Sequence, residues 1–407
     1  MQHIFPLHNT VKHYDWGSAE WIPALMGEKN PLKEPWAELW MGTHPLGPSG
    51  VFFEGRERDL GELIREEPEF FLGGELYRAW GGLPFLFKLL AAEKPLSIQA
   101  HPSLEQAVEG FERENRAGIS LEAPERNYKD RNHKPEIICA LTGFDALCGF
   151  REPGKIRHSL ESLTRQAAVL ERDLEPLIRA ENLKIFLKRL FELSVETRKE
   201  LTGTLRAGID TNPPEAGPFM RRFAELYPDD PAIIAPLYLN LVHLEPGEAL
   251  FLPAGVLHAY IHGFGVELMA NSDNVLRGGL TSKYMDLQEL ISVLDFSAFS
   301  VQILHPEEKA PGIHAYPSFT GEFSLARLDS GGHERLEAPA GRPCIAIITG
   351  GEALYRASDA QMRLKQGQSI FIPAGAPGSF QGNFSACLAS PGSTPAEKSP
   401  DAAGGNG

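Results

Sequence analysis

The stretch Leu244-Glu245-Pro246-Gly247-Glu248-Ala249-Leu250-Phe251-Leu252-Pro253-Ala254-Gly255 returns 120 positions later as Leu364-Lys365-Gln366-Gly367-Gln368-Ser369-Ile370-Phe371-Ile372-Pro373-Ala374-Gly375. Gly, Phe, Pro, Ala and Gly coincide in register. In each copy a glycine turn leads into a short apolar run, and Pro-Ala-Gly then turns the chain. A short apolar run bounded by turn residues reads as a buried strand. Two copies predict two similar β-barrel domains in a mainly β chain. The copies diverge three residues past the last glycine, where the first has His258 and the second has Gly378. Only the first barrel can place an imidazole at that point.

The rest of the chain fits around these two strands. Residues 1–150 carry short apolar runs between Gly and Pro, such as Phe85-Leu86-Phe87-Lys88-Leu89-Leu90. Residues 151–236 change to helical spacing, with Phe186, Leu187, Leu190 and Phe191 set among charges, and predict helices over 155–168 and 181–206. The β pattern resumes at 237. The expected organisation is a discontinuous N-terminal metal-binding barrel (1–150 and 237–300), a helical insertion (151–236) and a metal-free C-terminal barrel (301–392). A disordered tail (393–407), rich in Pro, Ser, Ala and Gly, completes it.

Composition narrows the function. A net charge of −15 opposes general nucleic-acid binding, which needs a basic field. No apolar run approaches the roughly 18 residues needed to span a membrane. The first residues lack a charged segment followed by an apolar one, so no secretory signal is expected. Four cysteines without CxxC spacing form neither a disulfide framework nor a cysteine zinc site. A reducing cytoplasm is the expected compartment, and a monomer the expected state.

Read as a strand, Leu96-Ser97-Ile98-Gln99-Ala100-His101-Pro102 places Ser97, Gln99 and His101 on one face. Polar side chains gathered on one face of a buried strand need something polar to meet. Glu136 opens a strand after Pro135, with Lys134 just before it. His258 and Tyr260 share a face beyond the Pro-Ala-Gly corner. Gln99, His101, Glu136 and His258 together offer two imidazoles, a carboxylate and an amide oxygen. Two neutral imidazoles and one carboxylate leave a divalent ion its positive charge, hence its Lewis acidity. Lys88 in its apolar strand, Lys283 and the hydroxyl of Ser97 are the candidates for holding a phosphate. Arg277 precedes Gly278 and Gly279, which let the backbone approach a ligand. Glu267 interrupts an apolar strand and is an acid/base candidate.

Several segments resemble the type I phosphomannose isomerases, a family within the cupin superfamily of double-stranded β-barrels. They include Tyr14-Asp15-Trp16-Gly17-Ser18, Ala37-Glu38-Leu39-Trp40-Met41-Gly42-Thr43-His44-Pro45 and Leu83-Pro84-Phe85-Leu86-Phe87-Lys88. The 96–102 stretch, Asn132-His133-Lys134-Pro135-Glu136 and Pro253-Ala254-Gly255-Val256-Leu257-His258-Ala259-Tyr260 continue the match. It ends with Ser272-Asp273-Asn274-Val275-Leu276-Arg277 and Gly279-Leu280-Thr281-Ser282-Lys283, where Ser282 stands in place of the family's Pro. The resemblance implies one zinc ion held by Gln99, His101, Glu136 and His258. It implies interconversion of mannose 6-phosphate and fructose 6-phosphate, with Arg277 catalytic and Lys134 and Glu267 lining the site. Tyr260, with Lys88, Ser97 and Lys283, is expected to meet the substrate. Two other readings are a cupin metal-dependent oxygenase, using two His and one carboxylate, and a non-catalytic sugar-binding cupin. The amide ligand and the cluster of cations weigh against the first, and the number of ionisable groups against the second.

Overall fold

The computed structural model describes residues 3–358 and 360–392, so the tail expected at 393–407 lies outside the described residues. The protein is mainly β, with an 11-stranded and a 10-stranded sheet. Twelve α-helices are described, six of them between 153 and 238. No helix is long and apolar enough to cross a membrane among the described residues.

The first sheet turns on the strand His258–Ala270. Its first part pairs with Phe144–Phe150, and its second part pairs with Phe85–Ala92 on one side and Glu136–Ala140 on the other. Gly263, at φ +140, allows the change of partner: a Cβ there would lie 2.6 Å from the Phe144 ring. A glycine inside a strand where another element comes close is a common bend device. The bend puts Tyr260 and Glu267 on the walls of one cleft, although both ride on a single strand.

Both copies of the repeat form strands, Ala249–Leu252 and Ser369–Ile372, after turns in which Gly247 (φ +93) and Gly367 (φ +83) are left-handed. The second sheet differs from the expected division of the chain. Phe5–His8 pairs with Ser369–Ile372, and Gly50–Phe53 and Arg56–Asp59 continue outward from it. Three strands expected in the first barrel therefore extend the second sheet. Phe5 is fully buried between Phe371 and Phe71, and this apolar contact draws the early strand across. Buried residues of both sheets, among them Phe87, Val266, Ile345 and Phe371, form one shared core.

The helix expected over 155–168 spans Pro153–Gln166. The single helix expected over 181–206 is two, Leu183–Phe191 and Val195–Ala207. Ser194 breaks them: its hydroxyl accepts the Thr197 backbone N–H at 3.1 Å, a cap that favours a new start over a continuing helix. Leu160, Phe186, Leu190 and Phe223 pack in one core with Ile98, Leu257 and Leu276, so the helices cover one flank of the first sheet.

Gly378, where the first repeat has His258, leaves no room for a side chain. A Cβ would lie 2.3 Å from the Arg356 carbonyl oxygen and 2.5 Å from the Tyr355 hydroxyl. Gly378→Ala is expected to destabilise the protein by about 1–3 kcal/mol, the scale of overpacking a tight core. Urea unfolding measures it; unchanged stability would mean that this corner is not closed.

Candidate active site

His101, Glu136 and His258 are each 1% exposed. Glu136 opens Glu136–Ala140 directly after Pro135. His258 opens its strand beyond Gly255, whose left-handed φ of +77 completes the corner. The short strand Gln99–Ala100 lies between the two halves of the site, with Gln99 opposite both His258 and Arg277. His101 follows it.

His101 Nε2 lies 3.3 Å from Glu136 Oε1, and His258 Nε2 lies 3.4 Å from Glu136 Oε2. The other nitrogens face backbone carbonyls: His101 Nδ1 is 2.7 Å from the Asn274 oxygen and His258 Nδ1 is 2.9 Å from the Val256 oxygen. A carbonyl only accepts, so each Nδ1 carries the proton and each Nε2 turns a lone pair toward the carboxylate. Burial pushes His101 down to about 4, against the pull of Glu136, so this ring is neutral at neutral pH. Burial would raise Glu136, but the Lys134 ammonium, 3.0 Å from Oε1, is the leading charge against it, and the carboxyl lies well below its usual range. His101 Nε2, His258 Nε2 and Glu136 Oε2 have no hydrogen-bond partner among the described residues. Three buried acceptors aimed at one another are unfavourable unless a cation lies between them. The ligand atoms of the three lie within 4.8 Å of one another, so the residues present fit a divalent metal ion.

A cleft of about 490 Å³ opens beside this centre. Gln99, Glu136 and Lys134 face it from the metal side, Lys88, Glu267 and Tyr260 from the adjoining strands, and Ser97, Arg277 and Lys283 from its mouth. Lys88 stands differently from its expected place at the phosphate. Its strand is central, and its Nζ lies 3.0 Å from Glu267 and 3.5 Å from Glu38. Two carboxylates already neutralise that ammonium, and they would repel a phosphate dianion. Trp40 fixes the arrangement by donating to Glu38 Oε2 at 2.7 Å. Burial raises the Glu267 carboxyl, Lys88 pulls it back, and the charges of Glu136 and Glu38 raise it again. Burial, with the charges of Glu267 and Glu136, raises Tyr260 well above its usual range, so it remains a phenol able to donate. At the mouth, burial lowers the Arg277 pKa, though a guanidinium stays charged near neutral pH. Burial and then the Arg277 charge lower that of Lys283.

Glu38 and Asn274 were not among the candidates. Asn274 is fully buried; its Oδ1 accepts the Lys129 N–H at 2.7 Å and its Nδ2 donates to the Asn132 carbonyl at 2.8 Å. It thus clamps the loop leading to Lys134 and Glu136, while its own carbonyl orients His101. A carboxylate next to the apolar Leu39-Trp40-Met41 was the available signal for Glu38. None in the sequence marked Asn274.

Lys88→Met tests the buried ion cluster. Removing one partner of such a cluster costs about 3–5 kcal/mol. Without the ammonium, the folded-state pKa of Glu267 rises further above its unfolded value. The folded state then binds its proton more tightly, so the stability linked to that proton is present at acid pH and lost as pH rises through the raised pKa. Urea unfolding is expected to show a smaller deficit, relative to the unsubstituted protein, at pH 5 than at pH 8. Equal deficits would remove Glu267 from the cluster.

A mainly β protein with two imidazoles and a carboxylate at the back of a cation-lined cleft belongs to the class equipped to hold a divalent ion beside a small polar ligand. Residues 4–153 match the family model described as phosphomannose isomerase type I, catalytic domain. The chain is 38% identical over 370 residues to a mannose-6-phosphate isomerase of Shigella flexneri, covering 90% of this chain and 94% of that protein. It is 34% identical over 359 residues to one of Macaca fascicularis, covering 80% and 82%. A crystal structure of a mutant phosphomannose isomerase from Salmonella typhimurium matches at a TM-score of 0.88 and 35% identity, over 96% of this chain and 100% of that one. A zinc-bound mannose 6-phosphate isomerase matches at 0.86 and 34%, with the same coverage. The chain belongs to the type I phosphomannose isomerases.

Proposed function

We propose that this protein is a zinc-dependent aldose–ketose isomerase that interconverts mannose 6-phosphate and fructose 6-phosphate. The observation that carries the reading is the convergence of two imidazole lone pairs and an unpartnered carboxylate oxygen at the back of the cleft. His101, Glu136 and His258 hold the ion, with Gln99 as the amide ligand. When bound, zinc supplies Lewis acidity toward oxygens of the sugar.

Moving the carbonyl between C1 and C2 requires loss of a proton from one carbon and its return to the other, through an enediolate with charge on two oxygens. The ring must open first, with proton transfer at O1 and O5. Glu267 and Lys134 carry protons beside the reacting carbons. Tyr260 donates a hydrogen bond as a phenol, and Arg277 offers its planar fork to the enediolate oxygens. Lys283 and Ser97 hold the phosphate at the mouth, and that remote binding energy orients the reacting carbons. Lys88 holds Glu267 in place.

We further propose that the two sheets are cupin-like barrels flanked by a helical domain over 151–236, and that the monomer is active because one chain supplies the whole cleft. The reaction would feed mannose into nucleotide-sugar and glycan synthesis. A coupled assay for fructose 6-phosphate formed from mannose 6-phosphate, run anaerobically before and after chelation, tests the reading. Turnover abolished by chelation and restored by zinc supports it. Sugar binding without turnover, or consumption of oxygen with iron, would replace it.

A further inference from the structure

The loop that presents Arg277 and Lys283 is held from behind by the helices. Gly278 N donates to the Ile98 oxygen at 2.7 Å, and Ile98 N donates to the Gly279 oxygen at 3.0 Å, which fixes one side of the loop. The chain then turns through two left-handed residues, Gly279 (φ +121) and Leu280 (φ +50). A leucine at positive φ is costly and persists only where its surroundings enforce it. Part of that enforcement is apolar, since Leu280 is 1% exposed within the helical core. The rest comes from Asp230. Its carboxylate accepts the Ala232 N–H at 2.8 Å and caps the short turn Pro231–Ile234. Burial raises its pKa, and the backbone N–H groups of Ala232, Thr281 and Leu280 pull it back. The fit is close: a Cβ on Gly279 would lie 3.3 Å from Asp230 Oδ1 and 2.2 Å from the Ala232 Cβ. The same segment is tied to the opposite lip of the cleft, where the Tyr227 hydroxyl donates to the Pro95 carbonyl at 2.9 Å.

We propose that Asp230 is a positioning residue for substrate phosphate: its carboxylate packs against Gly279, holds the head of residues 279–283 and so sets Lys283 and the neighbouring hydroxyls toward the ligand. This rests on the isomerase reading and gives the helices a part in it. Asp230 contacts the loop from outside the cleft, so its effect falls on phosphate binding rather than on the chemical step.

The test is Asp230→Ser, read with the zinc-loaded enzyme. Serine still caps Ala232, but its shorter, uncharged side chain withdraws from Gly279 and the head of the loop. KM for mannose 6-phosphate and the Ki of inorganic phosphate are each expected to rise about tenfold, the scale of losing a hydrogen bond to a charged group. Zinc content is expected to stay the same and kcat to stay within about twofold. Unchanged KM and Ki, or a loss confined to kcat, would overturn the proposal. If Asp230→Ser does not fold, the isosteric Asp230→Asn is read in the same way. The neutral amide keeps the shape but loses the carboxylate's charge toward the backbone of the loop, so both constants still rise, and unchanged values again overturn the idea. Absence of turnover in the unsubstituted enzyme would sink the isomerase reading itself, which separates the two failures.

Discussion

His101→Ala is expected to lose zinc and isomerase activity together. The substitution removes one of the two lone pairs that face Glu136 and leaves His258 and the carboxylate as a two-residue remnant beside Gln99. A metal ion provides several kcal/mol of charge stabilisation to a developing oxyanion. Since each 1.4 kcal/mol is a factor of ten, kcat/KM falls by about a thousandfold or more. His258→Ala is expected to do the same, and the double variant little more, because the three ligands act as a unit. Metal analysis of the purified variants, with circular dichroism to confirm the fold, gives the answer. A full zinc equivalent retained in His101→Ala would break the ligand set. Gly378 and its closed surroundings add the complementary expectation of a single zinc per chain.

Arg277→Ala is expected to lower kcat by roughly 100-fold or more, the scale of removing one preorganised group that meets charge in the transition state. The guanidinium is half-buried on the two-residue strand Leu276–Arg277, in register with Gln99. That register sets it opposite Gln99, a proposed zinc ligand, on the way from the mouth of the cleft to the metal side. Arg277→Lys is expected to restore little, because a point charge cannot reproduce the planar fork. Zinc content is expected to be unchanged. A variant with near-normal kcat and only a raised KM would move Arg277 to phosphate binding and leave the chemistry to Lys134 and Glu267.

Most of the candidate metal site could be read from the chain because local rules place its residues. The Pro-Ala-Gly corner delivers His258, the alternation in 96–101 sets Gln99 apart from the buried Ile98 and Ala100, and Pro135 marks where Glu136 begins. What could not be read depends on distant neighbours. Alternation says which face of a strand Lys88 occupies, but not that Glu267, 179 positions away, and Glu38 stand opposite. The clamp made by Asn274 involves a turn with no periodic signature. The break at Ser194 is a local capping preference that a run of helix-compatible spacing conceals. The early strands joined the other sheet because the contact of Phe5 with Phe371 is visible only once both ends of the chain are in place.

That last contact bears on the order of events at the ribosome. Phe5–His8 has its partner in Ser369–Ile372, and Asn9 donates to the Ser369 hydroxyl at 2.7 Å across 360 positions of sequence. At roughly 5–20 residues per second, an emerging chain leaves that early strand without its mate for on the order of a minute. For that interval Phe5 belongs to an unpaired, apolar edge, the kind of surface that chaperones cover and that nascent chains aggregate through, while Leu7 has its partner in the early Val51. The residues of the cleft can meet earlier, since the last of them, Lys283, is made well before Ser369. The catalytic half of the molecule is thus able to assemble while its own first strand is still waiting.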